Sequence, residues 1–304
     1  MITLSLGVCS CNRDEVFEKE QYKNVFALIS GSSNISEKYH WLGEESTGYI
    51  AASCGGTNPT QTDIVVSLVE DQSLIDHYNT TNYDVDIARY ARPLPKDKYD
   101  IDSYRFTIPA GEIGGRLPVR FRPDGLSPDS TYLVALRVDS HSTYELNPGK
   151  NFVLYSVKIK NYWARGDGST IYTMKGKIRE KNATAEIEVP GTVTMFPLGE
   201  RKVRIMAGNE TYEPDIAVLS KGAIVLEIAD DNTVTISPYK TITVHQIAGD
   251  PDYPNIFKIE DDGYNTYKTF LLYYDYTAGG KTYVIKEELR LEFDEDEEED
   301  ESAD

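Results

Sequence analysis

The sequence predicts an all-β protein of two domains: an immunoglobulin-like β-sandwich, then an antiparallel β-meander that forms a barrel or a second sandwich. Two observations predict this fold. Apolar and polar residues alternate in many short runs, which is the period of a strand with one buried face. Clusters of Gly, Pro, Asp and Asn separate these runs. At 304 residues, the chain is long enough to bury two cores.

The N-terminal sandwich is predicted over residues 24–160. Its clearest antiparallel strands are the alternating runs at 117–121, 132–138 and 153–159. A short helix is predicted over Asp71–Asn79, where the apolar residues share one helical face. Several short strands with a single helix are typical of an immunoglobulin-like sandwich.

The C-terminal domain is predicted over residues 161–293, after a turn-rich segment at 161–169 that breaks the alternation. Alternating residues at 224–228 and 234–236 flank Asp231-Asn232 and predict a hairpin. A second hairpin is predicted around Gly279-Gly280. Glu287 falls on the apolar face of its second strand, so its carboxyl group must reach water or a partner.

The first eleven residues resemble the end of a bacterial lipoprotein signal. An apolar run ends in Ser10 and Cys11, and a polar stretch follows at once. We expect residues 1–11 to be a signal remnant, Cys11 to carry the lipid, and residues 12–23 to form a flexible tether. An ordinary buried first strand is the alternative for this segment.

Charge and hydropathy exclude two classes of protein. The net charge is −19, and ten acidic residues lie within 292–304, so more than half of it belongs to the C-terminal segment. We expect residues 294–304 to be a disordered acidic tail. No basic cluster suited to nucleic acid is present, and no later run is apolar enough for a transmembrane helix.

Motifs for catalysis or metal binding do not stand out in this sequence. The four histidines are scattered, and no phosphate loop, nucleophile elbow or paired-cysteine motif occurs. Cys54 is interpreted as a structural residue. We therefore expect a protein without catalytic residues, metal or cofactor. Paired carboxylates of the kind that glycoside hydrolases use remain an alternative, because fifty acidic residues guarantee some close pairs.

Aromatic residues interleaved with Asp and Asn suggest a sugar-binding surface. Two such stretches, predicted as loops, lie at 252–257 and 261–267. Aromatic rings present an apolar surface to the C–H face of a pyranose, while carboxylates and amides bond its hydroxyl groups. Packing over the ends of the domain is the alternative role for these aromatic residues. The candidate ligand-binding residues are Trp163, Tyr253, Tyr264, Tyr267, Asp262 and Asn265.

Both halves of the chain resemble domains of Bacteroidetes lipoproteins. In the N-terminal half, the stretches concerned are 63–79 (with Leu-Ile-x-x-Tyr-Asn at 74–79), Leu94-Pro95, Tyr99, 108–111 (Ile-Pro-Ala-Gly) and 132–136 (Tyr-Leu-Val-Ala-Leu). They resemble domain of unknown function 1735. In the C-terminal half, the stretches are 192–198, 236–239 and 269–276. They are similar to domain of unknown function 4361. Together the two resemblances span about residues 24–293.

The resemblance implies a lipid-anchored protein on the outer face of the outer membrane. Such proteins accompany glycan importers, so polysaccharide or oligosaccharide and the components of an outer-membrane transporter are the implied partners. Our hypothesis from the sequence is a non-catalytic surface lipoprotein that binds glycan for uptake. A fimbrial, adhesive or structural surface subunit is the alternative, and a glycoside hydrolase ranks below it.

Overall fold

The computed structural model describes residues 22–294. Cys11, the predicted signal remnant at 1–11, residues 12–21 of the predicted tether and residues 295–304 of the predicted tail lie outside the described residues. No helix within residues 22–294 is both long enough and apolar enough to cross a membrane.

Eleven strands and one α-helix make up the first half of the described chain, and four 3-10 turns connect them. The strands are β1 (Val25–Leu28), β2 (Ile35–Trp41), β3 (Ser46–Gly55), β4 (Ile64–Glu70), β5 (Arg92–Pro93), β6 (Tyr99–Asp100), β7 (Arg105–Ile108), β8 (Gly114–Phe121), β9 (Tyr132–His141), β10 (Glu145–Leu146) and β11 (Phe152–Lys160). The helix α1 is Ser73–Tyr83, and the 3-10 turns are Ser32–Asn34, Ile87–Arg89, Lys96–Lys98 and Pro148–Lys150.

These strands form the predicted N-terminal sandwich. One sheet has the order β10-β1-β3-β8-β6, and the other has β2-β11-β9-β4-β7 with β5 beside β9. Side chains from both sheets meet in one core, including Phe26 and Val119 from the first and Val66 and Leu136 from the second. The predicted helix is confirmed, and it extends four residues beyond Asn79.

Two details of this domain differ from the prediction. Three strand pairs are parallel (β1 with β10, β2 with β11 and β5 with β9), although the alternation predicts antiparallel pairing. Strand β11 is also buried on both faces, because α1 packs Ile75 against Leu154 on the outer face of its sheet. A fully covered central strand needs apolar residues on both sides, which weakens the alternation that predicts it.

The second half of the described chain also has eleven strands and one helix. The strands are β12 (Ile171–Glu180), β13 (Ile187–Glu188), β14 (Gly191–Thr194), β15 (Phe196–Gly199), β16 (Lys202–Met206), β17 (Ala223–Ile228), β18 (Val234–Pro238), β19 (Thr243–Gln246), β20 (Ile256–Asp261), β21 (Thr266–Ala278) and β22 (Lys281–Phe293). The helix α2 is Ile216–Gly222. The carboxylate of Asp215 caps it by accepting from the backbone N–H groups of Ala217 and Val218.

The C-terminal domain packs two antiparallel sheets around one core. Strands β15-β16-β17-β18 form a meander of four. The seven-stranded sheet follows the order β13-β12-β22-β21-β19, with β14 beside β12 and β20 beside β21. Both predicted hairpins are confirmed, β17–β18 and β21–β22. Because the core draws Ile205 and Leu226 from one sheet and Tyr274 and Leu289 from the other, the domain is a sandwich of curled sheets.

The two domains meet at Asn161, directly after β11. Its side-chain NH2 group donates to the carbonyl oxygens of Gly199 (2.8 Å) and Lys202 (3.0 Å) in the C-terminal domain. Its side-chain oxygen accepts from the backbone N–H groups of Trp163 (3.0 Å) and Ala164 (2.9 Å). One buried amide therefore fixes both the path of the linker and its attachment to the next domain.

Candidate functional site

Four of the predicted site residues lie together at the turn between β20 and β21. The Asp262 carboxylate shapes the turn by accepting from the backbone N–H groups of Tyr264 (3.0 Å) and Asn265 (2.9 Å). Tyr264 lies at the tip of the turn and is 95% exposed. Tyr267 lies under the Arg290 guanidinium, 3.9 Å from the ring centroid, and its hydroxyl accepts from Asn265. This turn is an exposed surface, and its residues line none of the cavities described below.

Tyr253 lies apart from that turn. The prediction of loops at 252–257 and 261–267 is wrong in part, because residues 256–261 form β20, and 266–267 begin β21. Six residues of strand span about 20 Å, so Tyr253 and Tyr264 stand at opposite ends of β20. Phe257 packs into the core as the cross-strand partner of Phe270, and that pairing holds the segment in the sheet.

Trp163 is a packing residue in this structure and not an open stacking surface. It is 4% exposed, and Tyr162 and Phe257 meet its ring edge to face at centroid distances of 5.4 and 5.6 Å. The Arg201 guanidinium lies 5.4 Å from its centroid. The indole Nε1–H is buried without a hydrogen-bond partner among the described residues. A buried donor left unpaired costs about 1–3 kcal/mol, so a nearby acceptor would lower the free energy of this site.

Trp163 nevertheless marks a concave surface that joins the two domains. Together with Trp41 and Tyr162 it lines two cavities, of about 530 and 260 Å³. We call these three residues and the two cavities the seam site. The larger cavity is also lined by Leu42, Gly43, Glu44, Glu200, Arg201, Asn232, Phe257 and Ile259. Its volume lies in the range typical of small-molecule sites, about 300–1,000 Å³.

Strand pairing places Trp41 at the seam. Trp41 is the last residue of β2 and lies opposite Lys160, the last residue of β11, in the parallel register of the two strands. The Lys160 ammonium is 4.5 Å from the Trp41 ring centroid, a cation–π contact that fixes the indole. Trp41 is half-buried, so part of its ring remains accessible.

Tyr162 is held by a buried lysine of the C-terminal domain. Lys268 on β21 is 2% exposed, and its ammonium lies 3.9 Å from the Tyr162 ring centroid. The same ammonium donates to the carbonyl oxygen of Tyr162 at 2.5 Å. The Tyr162 side chain remains 36% exposed. A rigid aromatic ring with one open side loses little conformational entropy when it binds a ligand.

Polar groups of several kinds surround these rings. Glu44, Glu200 and Asn232 are exposed at the larger cavity. Arg201 is fixed by donating through Nε to the carbonyl oxygen of Ile228 (2.7 Å). An apolar aromatic wall with carboxylate, amide and guanidinium groups suits a ligand that has both C–H faces and hydroxyl groups.

Sequence reasoning missed Trp41 and Tyr162. Tyr162 stands beside Trp163 in the predicted boundary segment, and an aromatic pair at a domain junction is a usable signal. Trp41 carries no local signal of this kind, since only its pairing with β11 brings it to the seam. Both tryptophans of the chain therefore line the same site.

Other chemistry-bearing residues are placed differently. Within residues 22–294, no three His, Cys, Asp or Glu side chains converge as a metal site. Cys54 is buried in the N-terminal core, where burial raises the pKa of its thiol. His245 donates through Nδ1 at 2.7 Å to the carboxylate of Asp275, which also accepts from the Lys181 ammonium at 2.8 Å. None of these groups lines the seam site.

The fold is that of a two-domain, all-β protein with cavities between its domains, and the family models divide the chain similarly. Residues 17–145 match a family model described as an N-terminal domain, and residues 151–290 match one described as a C-terminal domain. The second match includes β11, although this strand pairs within the N-terminal sandwich. No curated protein matches the chain.

Solved structures from Bacteroides share this fold across both domains. A Bacteroides ovatus protein of unknown function has a TM-score of 0.62 and 16% identity, covering 90% of this chain and 98% of its own. A B. ovatus multidomain protein that includes DUF1735 has a TM-score of 0.59 and 15% identity, covering 88% and 94%. An auxiliary nutrient binding protein from Bacteroides thetaiotaomicron has a TM-score of 0.57 and 17% identity, covering 87% and 94%.

Proposed function

We propose that this chain is a non-catalytic glycan-binding protein and that glycan binds at the seam site. The observation that carries the proposal is the meeting of Trp41, Tyr162 and Trp163 around cavities that both domains line. Trp41 and Tyr162 offer ring surface, and the buried Nε1–H of Trp163 has no hydrogen-bond partner among the described residues. Glu44, Glu200 and Asn232 lie beside them as acceptors and donors for hydroxyl groups.

The shared fold with an auxiliary nutrient binding protein supports a role in nutrient capture. The low identity to that protein leaves the ligand of this chain to be argued from its own residues. A polysaccharide repeats the same ligand many times, so modest affinity at one site gives effective retention when many copies act together.

The proposed location follows from the sequence. A lipid on Cys11 would hold the chain at the outer membrane, facing the cell surface and beside the components of a glycan transporter. Growth with a labelled fatty acid tests the anchor: the Cys11→Ser protein should carry no label, and the Cys54→Ser protein should carry as much as wild type. Equal labelling of the wild-type and Cys11→Ser chains would overturn the proposed lipid anchor and would leave the proposal of the binding site unaffected.

Affinity electrophoresis against plant, host and microbial polysaccharides tests the binding role. We expect one polysaccharide to retard the protein, and Trp41→Ala or Tyr162→Ala to abolish the retardation. Tyr49→Ala is a matched control, because Tyr49 is an aromatic residue, 38% exposed, that lines neither cavity. Loss of retardation in Tyr264→Ala alone would place binding at the β20–β21 turn. Retardation by no polysaccharide would overturn glycan binding and favour an adhesive or structural role.

The absence of catalysis is tested with the same polysaccharide. Glu44 and Glu200 both line the larger cavity, and a glycoside hydrolase needs two carboxyl groups about 5–10 Å apart. Prolonged incubation should release no shorter oligosaccharides. Product that disappears in Glu200→Gln but persists in Glu227→Gln, an exposed acid outside both cavities, would show that the seam site is catalytic.

A further inference from the structure

Besides the two cavities of the seam site, a further cavity lies between the domains. It shares no lining residue with the seam site. It has a volume of about 420 Å³ and draws its lining from both domains and from the linker. The linker turn at 165–169 separates this cavity from the seam site. Arg165 and Ser169 line the seam site, whereas Gly166, Asp167 and Gly168 line this cavity. We call it the Tyr212 groove. Asp129, Ser130, Lys158, Thr194, Phe196 and Tyr212 are among its other lining residues.

Aromatic rings supply an apolar surface in this groove. Phe196 is buried, and Tyr212 packs on it at a centroid distance of 4.9 Å with an angle of 30° between the rings. Gly168 lies beside the Phe196 ring, and its φ of 79° favours glycine. Tyr212 stays half-buried at the rim, where a sugar ring can reach it.

Two carboxylates of the groove are fixed in position by partners outside it. Asp129 receives the Arg204 guanidinium through two hydrogen bonds of 2.5 and 2.6 Å. Asp167 accepts from the hydroxyl of Tyr39 at 2.6 Å. Asp167 Oδ1 also accepts from the backbone N–H and the hydroxyl of Ser169, so Oδ2 is the oxygen of Asp167 that has a lone pair left. Both carboxylates therefore still offer an acceptor to ligand hydroxyl groups. Because both carboxylates are already held in position, ligand binding costs little additional side-chain entropy.

The charge of the groove selects against an anionic ligand. Lys158 is the one basic residue among those lining it, and its ammonium pairs with Glu37 at 3.4 Å. The hydroxyl groups of Ser130, Thr131 and Thr194 complete a lining that is polar without net positive charge. Uncharged hydroxyl groups are the ligand chemistry that carboxylate acceptors and serine or threonine hydroxyls match.

We infer that the Tyr212 groove is a second binding site, for a neutral hexose unit of the glycan that the seam site binds. This inference rests on the proposed function. A single glycan chain long enough to cross the linker turn occupies both sites, and the second contact then forms at a high effective concentration. Short oligosaccharides instead bind the two sites independently.

Calorimetric titration of the full chain with oligosaccharides of increasing length, cut from the retained polysaccharide, tests this inference. With short oligosaccharides, wild type should bind two molecules, Tyr162→Ala and Tyr212→Ala one each, and the double variant none. With long oligosaccharides, wild type should bind one molecule, and each single variant should bind at least tenfold more weakly. Tyr49→Ala should match wild type throughout.

A second variant, which blocks the groove, distinguishes loss of binding from a folding defect in Tyr212→Ala. Ser130→Phe adds bulk to the groove and removes no interdomain contact, so it should reproduce the binding of Tyr212→Ala with an unchanged melting temperature. If Tyr212→Ala and Ser130→Phe bind every length like wild type while Tyr162→Ala fails, the second site is refuted and the proposed function stands. If wild type binds no oligosaccharide, the proposed function itself fails.

Discussion

Glu287 accepts a 2.8 Å hydrogen bond from the hydroxyl of Tyr274 inside the core of the C-terminal domain. Both side chains are fully buried, and the Tyr274 hydroxyl also accepts from the backbone N–H of Gly208 at 2.8 Å. The second carboxyl oxygen of Glu287 has no partner among the described residues. Burial raises the pKa of Glu287 from 4.5 to about 8, so this acid is protonated in the folded protein at neutral pH.

This raised pKa predicts that the C-terminal domain loses stability as pH rises from 4.5 to 8. Between pH 4.5 and 8 the unfolded chain releases the proton and the folded chain keeps it. The free energy of unfolding therefore falls as pH rises through this window, by at most about 1.4 kcal/mol per pH unit. Glu287→Gln keeps an acceptor for Tyr274 and removes the titration. Denaturation at pH 5 and 8 should show the variant gaining stability relative to wild type only at pH 8.

Glu288→Gln is the matched control for that experiment, because Glu288 is the neighbouring acid and is only partly buried. It should retain the pH dependence of wild type. An equally steep loss of stability in Glu287→Gln would contradict the assignment.

His40 predicts the opposite pH dependence for the N-terminal domain. Its ring nitrogens lie 2.6 Å from the Ser46 hydroxyl and 3.2 Å from the Tyr155 hydroxyl, and burial lowers its pKa from 6.5 to about 4. Between pH 6.5 and 4, His40 binds a proton in the unfolded chain but stays neutral in the folded chain. The free energy of unfolding therefore falls as pH falls through this window. Calorimetry of His40→Gln should show a smaller loss over this window than wild type. His77→Gln, at an exposed histidine, should behave as wild type.

The ion pair between Arg204 and Asp129 predicts strong coupling across the domain junction. Arg204 is 1% exposed and lies between the rings of Phe196 and Tyr239, at 4.9 Å from each centroid. Asp129→Ala leaves this guanidinium buried and uncompensated, which should cost about 3 kcal/mol in urea denaturation. Glu227→Ala breaks an exposed pair with Lys202 and should cost less than about 1 kcal/mol. Equal costs would show that Arg204 does not depend on Asp129.

We predict that the linker conformation depends on the side-chain amide of Asn161. Asn161→Ala removes both donors to Gly199 and Lys202 and the acceptor for two backbone N–H groups. Leaving such buried groups unpaired should cost about 2–4 kcal/mol and weaken binding at the seam site. Asn82→Ala removes a single exposed hydrogen bond to Tyr78 and should change stability by less than about 1 kcal/mol. Unchanged stability in Asn161→Ala would contradict the linker's dependence on this residue.

The fold class was predictable because its evidence is local. Alternation at 224–236 predicts a hairpin, and the observed register sets Leu226 opposite Ile236. The position of Glu287 on the apolar face likewise predicts that its carboxyl group reaches water or a partner, and in the structure it reaches Tyr274. The sequence predicts loops at 252–257 and 261–267, yet pairing with β21 makes 256–261 a strand. Pairing of that kind depends on a distant segment, which a local pattern does not contain.

The candidate site was predictable only in part, for the same reason. Asp262, Tyr264, Asn265 and Tyr267 are near neighbours in sequence, and they stay together at one turn. The seam site instead combines Trp41 with Tyr162 and Trp163 from a distant segment. Its geometry comes from the parallel pairing of β2 with β11, which was not foreseen.

Intrinsic tryptophan fluorescence tests glycan binding at the seam most directly. The chain has two tryptophans, and both line the seam site. Titration with the polysaccharide retained in electrophoresis should change the emission in a saturable way, with the change lost in Tyr162→Ala and preserved in Tyr264→Ala. Retention of the protein by a polysaccharide that leaves the emission of both tryptophans unchanged would contradict binding at the seam.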